Sequence, residues 1–401
     1  MKHRLCNRLC RALALCLTAI IVLSSIPAIC ESYSLEEKTA RIFKKYKTVG
    51  GMLVAAKNGE IVFEYCYGLS SKVGHEPVTP DTYFKIASVS KLVTAVSVMK
   101  LVETGRLDLD ENIGHYLGDP VYEAANSKYP KTPITLRVLM THTAGINDGS
   151  GNFTKRRPIS DMLNPKKNKN RQGFNDQEPG TKYTYSNYGA GIIGCVLEAV
   201  TGMRLTNAAK ELLFDPLGID AAYDAHLVMD PEKIVTTYKA DGKIQKTRSY
   251  RLTKETYNEQ VEPERDYTES YGSVWIKGRD LCRIGIMLCD MGVIDGQRLM
   301  EEETVLEMIS SQQGKGCVKI DSPYGLNVER NKTLLKDNPD KIIYGHQGLS
   351  DGILCNLYFD PETRFVFALV TNGCNTNAKQ NRICSLARSL FTLMWDSFAE
   401  E

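Results

Sequence analysis

The sequence predicts an α+β fold, an antiparallel sheet flanked by helices and joined to a mostly α-helical lobe. Apolar, β-branched runs bounded by turn residues lie toward both ends of the chain, at 52–67 and 342–371, whereas the stretch between them carries apolar residues at helical spacing. A capped helix precedes the first strands and a long amphipathic stretch follows the last, so helices and strands from the two termini enclose a helical insertion. This organisation reads as an α/β lobe built from 34–86 and 270–401 and a helical lobe over 87–269, with a site between them.

Ser34-Leu35-Glu36-Glu37 is a capping box, and Leu35, Ile42, Phe43 and Tyr46 give the helix behind it an apolar stripe. Met52–Lys57 and Glu60–Tyr67 predict two strands, joined by the tight hairpin that Asn58-Gly59 favours. From Ala87 a helix runs to about Thr104, with Val89, Leu92, Val93, Val96 and Met99 at helical spacing and Gly105 as its stop. Asp108-x-Asp110-x-Asn112 has the start of a calcium loop, but Ile113 stands where that loop needs glycine, so it reads as a turn. Ile134–Met140 and Gly189–Val200 predict further helices, and 229–266 shows no clear pattern. Tyr271–Ile276 predicts a strand and Arg279–Met291 a helix. Ile342–Gly345, Ile353–Phe359 and Arg364–Thr371 predict strands, the last two joined by the turn Asp360-Pro361-Glu362-Thr363. Asn377–Ser397 predicts a closing helix with Ile383, Leu386, Leu390, Leu393 and Met394 on one face.

The chemistry begins at Ser88-Val89-Ser90-Lys91. Three residues of separation at a helix start return both side chains to nearly one face, so the Ser88 hydroxyl and the Lys91 amine point into the same space. A serine hydroxyl needs a base within hydrogen-bond reach, and a lysine serves when its surroundings favour the neutral amine. The helix start adds a free backbone N–H suited to an oxyanion. Alone, Ser-x-x-Lys recurs by chance in long chains.

Tyr185-Ser186-Asn187 and His346-Gln347-Gly348 follow in order. Together the three motifs resemble those of the serine β-lactamase and penicillin-binding superfamily, in the Tyr-x-Asn branch with class C β-lactamases, DD-peptidases and related esterases. Phe84-Lys85-Ile86-Ala87, Gly105-Arg106-Leu107-Asp108-Leu109-Asp110, Thr141-His142-Thr143-Ala144-Gly145 and Pro179-Gly180 extend the resemblance from about Ser34 to the end. It implies an acyl-enzyme on Ser88, with Lys91 and Tyr185 sharing the proton transfers. Either could be the base. Asn187 is implied to hold Lys91 and the substrate, and the N–H groups of Ser88 and Leu349, beside Gly348, to form the oxyanion hole. His346 stands where β-lactamases carry lysine, as in some DD-peptidases and esterases of the family. A histidine there is largely neutral at pH 7, which favours peptidase or esterase over β-lactamase; with an ordinary pKa, at the cleft edge, it would gain charge toward pH 6 and then favour carboxylate-bearing substrates. A class C-like β-lactamase is the alternative activity, and a penicillin-recognising sensor or scaffold with slow turnover is the non-enzyme one.

Residues 1–30 carry Lys2, Arg4, Arg8 and Arg11 with no acid, then an apolar run from Ala12 to Leu23, and read as a secretory signal peptide cleaved near Cys30 to Ser32. The run is shorter than a spanning helix needs, so no stable membrane insertion is expected afterwards, and the protein is expected to be secreted or in the cell envelope. The chain's net charge of +2 becomes −2 without the leader, giving no reason to expect nucleic acid as a partner. The expected partner is a small-molecule or cell-wall peptide substrate. Eight cysteines remain beyond the leader at scattered spacing and read as buried thiols, and no spacing suits a zinc site, so no metal or cofactor is expected.

The residues admit two further readings. Gly348-Leu349-Ser350-Asp351-Gly352 matches the nucleophile elbow of α/β-hydrolases, but that elbow joins a strand to a helix, and a strand-like run follows here. The basic stretch Lys155 to Arg171 reads first as a solvated loop and secondly as a flap near the site mouth favouring anionic substrates.

Overall fold

The computed structural model describes residues 33–149, 153, 157–169, 173–254, 260–265, 267–335, 338, 340–376, 379, 380 and 383–399. The leader read over 1–30 lies outside the described residues, as do Lys155, Arg156 and Arg171 of the basic stretch. At the start of the described chain the capping box closes reciprocally, with the Glu37 N–H donating to Ser34 Oγ at 3.2 Å and the Ser34 N–H to Glu37 Oε2 at 2.9 Å. It opens helix α1 (Leu35–Lys45).

Strands β1 (Gly50–Lys57) and β2 (Glu60–Ser71) meet at Asn58-Gly59, whose φ values of 54° and 85° are those a tight hairpin requires. The short strands β3 (Glu76–Pro77) and β4 (Tyr83–Lys85) lead to a single 3-10 turn, Ala87–Val89, which runs directly into α2 (Ser90–Glu103). Ser90 through Met99 are all buried, as befits a helix enclosed on every side. Helices α3 (Ile113–Leu117) and α4 (Leu136–Met140) pack on α5 (Asn187–Thr201). The chain then returns through β5 (Trp275–Lys277), paired with β4, and helix α6 (Gly278–Cys289). Strands β6 (Glu329–Asn331), β7 (Ile343–Ser350), β8 (Ile353–Asp360) and β9 (Phe365–Thr371) precede the last helix, α7 (Ser385–Phe398).

These strands form one antiparallel sheet in the order β6-β7-β8-β9-β1-β2-β3. Strands from the two ends of the chain meet where β1 pairs with β9, Leu53 opposite Leu369. Every residue of β9 is buried because both faces are covered. Phe365 and Phe367 meet Phe391 of α7, at 6.0 and 5.4 Å between ring centroids, while Val366 points the other way toward α6. There Gly285 lets the helix approach, since a Cβ at that position would come within 2.5 Å of the Val366 side chain. The observed architecture is thus α+β, with helices on both faces of the sheet.

Several boundaries differ from the sequence reading. Asn112 caps α3, its Oδ1 accepting the Gly114 N–H at 2.9 Å, so the acidic turn is a helix entry. The strand read at Tyr271–Ile276 begins at Trp275. The strand read at Ile342–Gly345 runs on to Ser350, so His346, Gln347, Gly348 and Leu349 all lie on β7. The closing helix starts at Ser385, and Ile383 belongs to a two-residue strand paired with Lys379–Gln380. There the Cys384 N–H donates to Gln347 Oε1 at 3.0 Å, a bond outside any helix. The stretch without a pattern holds a small hairpin, Thr237–Tyr238 with Ile244–Lys246, and the helix Arg248–Lys254. Among the described residues no single helix is long and apolar enough to cross a membrane. All eight described cysteines are free thiols.

Candidate active site

A cavity of about 820 Å³ is lined by, among others, Ser88, Tyr185, Asn187, Tyr271, His346 and Leu349. Its centre is the turn at Ser88. Ala87 takes a φ of 46°, a backbone strain held in place by the packed segments around it, immediately before the serine. Gly348 makes the close approach of β7 to this turn possible. A Cβ there would lie 2.3 Å from the Ile86 carbonyl oxygen and 3.2 Å from Ser88 N. Among the described residues β7 pairs beyond Gly345 only with β8, so its outer edge is left to the cavity.

Lys91 is fully buried, and its Nζ lies 3.1 Å from Ser88 Oγ, 2.9 Å from Asn187 Oδ1 and 2.8 Å from the Tyr271 carbonyl oxygen. An ammonium spends its three protons on these three acceptors. A neutral amine has two protons, and because the two carbonyl oxygens can only accept, its lone pair is left facing Ser88. Burial pushes the Lys91 pKa down to about 7, with the Asp148 carboxylate opposing the shift. The Tyr185 hydroxyl also hydrogen-bonds with Ser88, and burial holds it above the ordinary phenol range, so it is a phenol at neutral pH. Lys91 Nζ lies 5.1 Å from the Tyr185 ring centroid.

The three residues of the middle motif sit at the start of α5. Ser186 is its N-cap, accepting the Gly189 N–H at 2.8 Å, and this fixes Tyr185 before the helix and Asn187 in its first turn. His346 is not at the cleft edge as the sequence reading had it. It is buried, with Nδ1 2.8 Å from the Gln347 carbonyl oxygen, so Nδ1 carries the proton and Nε2 is a bare acceptor with no hydrogen-bond partner among the described residues. Burial, aided by the charge of Lys91, pushes its pKa down to about 3. The expected gain of charge toward pH 6 is therefore corrected: His346 stays neutral across that range.

A profile of the Beta-lactamase family matches residues 35–383. The chain belongs to the beta-lactamase family. Among its relatives, Esterase EstB of Burkholderia gladioli is 29% identical over 217 residues, which span 51% of this chain and 54% of the esterase. Penicillin-binding protein 4 of Amycolatopsis lactamdurans is 27% identical over 344 residues, 84% of each chain. The structure of D-alanine carboxypeptidase AmpC from Burkholderia cenocepacia superposes with a TM-score of 0.63 at 19% identity, covering 89% of this chain and 98% of that one, a likeness of fold.

Two other residues at the site, Asp148 and Tyr271, carry no sequence signal. Asp148 accepts from Ser186 Oγ at 2.6 Å and from the Asn187 and Tyr188 N–H groups at 2.7 and 3.0 Å, an anion at the positive end of α5. Tyr271 acts through its carbonyl, which any residue possesses. His142 lies in a landmark already noted, but its place 4.4 Å from the Tyr185 ring shows only in three dimensions. Ser350 lines the cavity at the end of β7, and the chain turns into β8 rather than into a helix, which removes the α/β-hydrolase reading. None of the described residues within 157–169 lines the cavity; its lining cations are Lys85 and Lys246. Among the described residues no cluster of three or more His, Cys, Asp or Glu is placed to hold a metal ion.

Proposed function

We propose that this protein is an exported serine hydrolase that works through an acyl-enzyme on Ser88, of the esterase or DD-peptidase type. The observation that carries this reading is the position of Lys91 Nζ among Ser88 Oγ, Asn187 Oδ1 and the Tyr271 carbonyl, at a pKa of about 7. Neutral Lys91 takes the Ser88 proton as Oγ attacks the carbonyl carbon. The Ser88 and Leu349 N–H groups receive the developing oxyanion across the gap that Gly348 keeps open. Tyr185, a phenol, passes a proton to the departing atom and is restored from Lys91. Water, activated by the same pair, then releases the acid. In this reading the α/β lobe supplies β7 and the helical lobe supplies Tyr185 and Asn187.

Neutral His346 favours ester or peptide over β-lactam, because at its position it supplies no permanent cation to suit a substrate carboxylate. The relatives named as an esterase and a penicillin-binding protein agree with this range. The leader at 1–30 supports export to the cell envelope or beyond. A fluorophosphonate probe on the purified protein, followed by peptide mass spectrometry, should mark the peptide containing Ser88. Screening on aryl esters, D-alanyl peptides and cephalosporins should give turnover in the first two classes above the third. Labelling at Ser350 would overturn the mechanism, cephalosporin turnover above every ester and peptide would restore a β-lactamase, and labelling without turnover would favour a sensor.

A further inference from the structure

His142 has no part in the mechanism above, yet the chain on both sides of Tyr185 is tied to it. The Thr184 N–H donates to the His142 carbonyl oxygen at 2.7 Å, and the Ser186 N–H donates to His142 Nδ1 at 3.3 Å. Between these two bonds the Tyr185 ring lies against the imidazole, 4.4 Å between centroids and inclined by 38°. The side chain is buried, and because Nδ1 accepts, Nε2 carries the ring proton, with no hydrogen-bond partner among the described residues. Burial, and then the charge of Lys91, hold its pKa well below the ordinary value, so the accepting nitrogen stays unprotonated.

The backbone alone asks for a different residue here. Helix α4 ends in a Schellman turn, the His142 N–H donating to the Leu139 carbonyl at 3.1 Å and the Thr143 N–H to the Val138 carbonyl at 2.8 Å. His142 holds the left-handed position of that turn with a φ of 55°, where glycine is the usual residue. At the start of α5, the residue three after the N-cap Ser186 is Gly189, which has no side chain to reach back to the Ser186 N–H as a capping box would. The imidazole supplies that acceptor from outside the helix.

We propose that His142 is a positioning residue for Tyr185, its Nδ1 and ring fixing where the phenol hydroxyl meets Ser88 and the departing atom. This rests on the hydrolase reading above, in which Tyr185 protonates the leaving group. Loosening the clamp withdraws that proton from leaving groups that need it and spares those that do not. A positioned general acid contributes about a hundred- to ten-thousandfold, so partial misplacement costs roughly tenfold on a substrate that depends on it.

The test compares ethyl acetate with 4-nitrophenyl acetate, which share one acyl group and differ in whether the leaving oxygen needs a proton. The readout is the ratio of kcat/KM for the activated ester to that for ethyl acetate. His142→Gly suits the turn and keeps the Thr184 bond but removes the acceptor for Ser186, and it should raise the ratio roughly tenfold. His142→Asn tolerates the same φ and carries an acceptor oxygen near the Nδ1 position, so its ratio should stay within about threefold of native. Tyr185→Phe should raise the ratio further, and adding His142→Gly to it should change the ratio no more. Equal losses on both esters in His142→Gly, an asparagine variant no nearer native than the glycine one, or a shift that persists in the Tyr185→Phe background each overturns the inference. Should neither His142 variant fold, heteronuclear NMR of histidine-labelled protein with His142 intact decides, its signals assigned by replacing the other histidines in turn: a neutral ring protonated on Nε2 is expected, and a ring protonated on Nδ1 at pH 7 overturns the clamp. The same esters separate the levels of the proposal. If native protein cleaves 4-nitrophenyl acetate no faster than Ser88→Ala, the hydrolase reading itself fails; if Tyr185→Phe leaves the ratio unchanged, the acid role of Tyr185 fails; if both of those hold and His142→Gly does not move the ratio, only the role of His142 fails.

Discussion

Gly348→Ala tests whether the close approach of β7 to the serine turn makes the oxyanion site. The added methyl would begin 2.3 Å from the Ile86 carbonyl oxygen and 3.3 Å from Ala87 Cβ, both backbone or first-carbon atoms that cannot swing aside. To bring the first contact to 3.0 Å, strand and turn must part by about 0.7 Å, which moves the Leu349 N–H away from the Ser88 N–H by a similar amount. Misplacement of reacting groups by about 1 Å, or loss of one oxyanion donor, costs on the order of a hundredfold or more in rate. Overpacking a buried contact costs about 1–3 kcal/mol of stability, so the variant should fold with a modestly lower Tm. Steady-state phenyl acetate hydrolysis should lose kcat/KM by on the order of a hundredfold, chiefly in kcat, since the donors act mainly on the transition state. Fluorophosphonate labelling should slow alongside it. A variant within about threefold of native kcat/KM would mean that these two N–H groups do not form the oxyanion site.

Three other outcomes follow from the same geometry. Lys91→Ala and Tyr185→Phe should each cost orders of magnitude in kcat/KM, and the double variant little more than the worse single one, because both act on the Ser88 proton; multiplicative losses would show independent roles. For a neutral ester, kcat/KM should rise with pH through about 7 as Lys91 loses its proton, and Asp148→Asn should move that limb lower, because the carboxylate stabilises the ammonium; a limb moved higher would refute the assignment. The ratio of kcat/KM for a carboxylate-bearing ester to that for a neutral ester should stay flat between about pH 6 and 8, since His346 carries no charge there, and a ratio climbing toward pH 6 would mean a protonated imidazole.

Periodicity carried the parts of this fold in which one physical signal dominates. The Asn58-Gly59 hairpin, the capping box at Ser34 and the buried helix α2 were legible because turn chemistry, capping and apolar spacing each act locally. The extent of β7 was not, since His346, Gln347 and Gly348 have little β propensity and are held in the sheet by pairing with Leu357, Asn356 and Cys355. The start of α7 was misread for a related reason: Ile383 fits the helical stripe, yet its segment is taken by a β ladder and by the bond from Cys384 to Gln347. Ser88, Lys91, Tyr185 and Asn187 could be named from their motifs. Their partners could not, because Asp148 lies in no motif and Tyr271 contributes a carbonyl that no side chain announces.

The pKa of Lys91 shows why those unannounced partners matter. Full burial by itself drives a lysine toward neutrality, and a neutral amine of very low basicity would be a poor acceptor for a serine proton. Asp148 opposes that shift, and the N-terminus of α5 supplies the Asn187 and Tyr188 N–H groups that hold this half-buried carboxylate in place. Desolvation and this single anion together leave Lys91 near pH 7, where it is both substantially neutral and still basic enough to accept the proton. The helix that carries Asn187 to Lys91 therefore also holds the charge that tunes it, so a change at the α5 N-terminus alters position and basicity together. The two can be separated by Ser186→Ala, which removes a cap and one bond to Asp148 while leaving the carboxylate in place. It should lower stability by about 1 kcal/mol and leave the pH limb near 7. A shifted limb in that variant would mean that Asp148 depends on Ser186 for its position, and that the tuning is less robust than its two backbone bonds suggest.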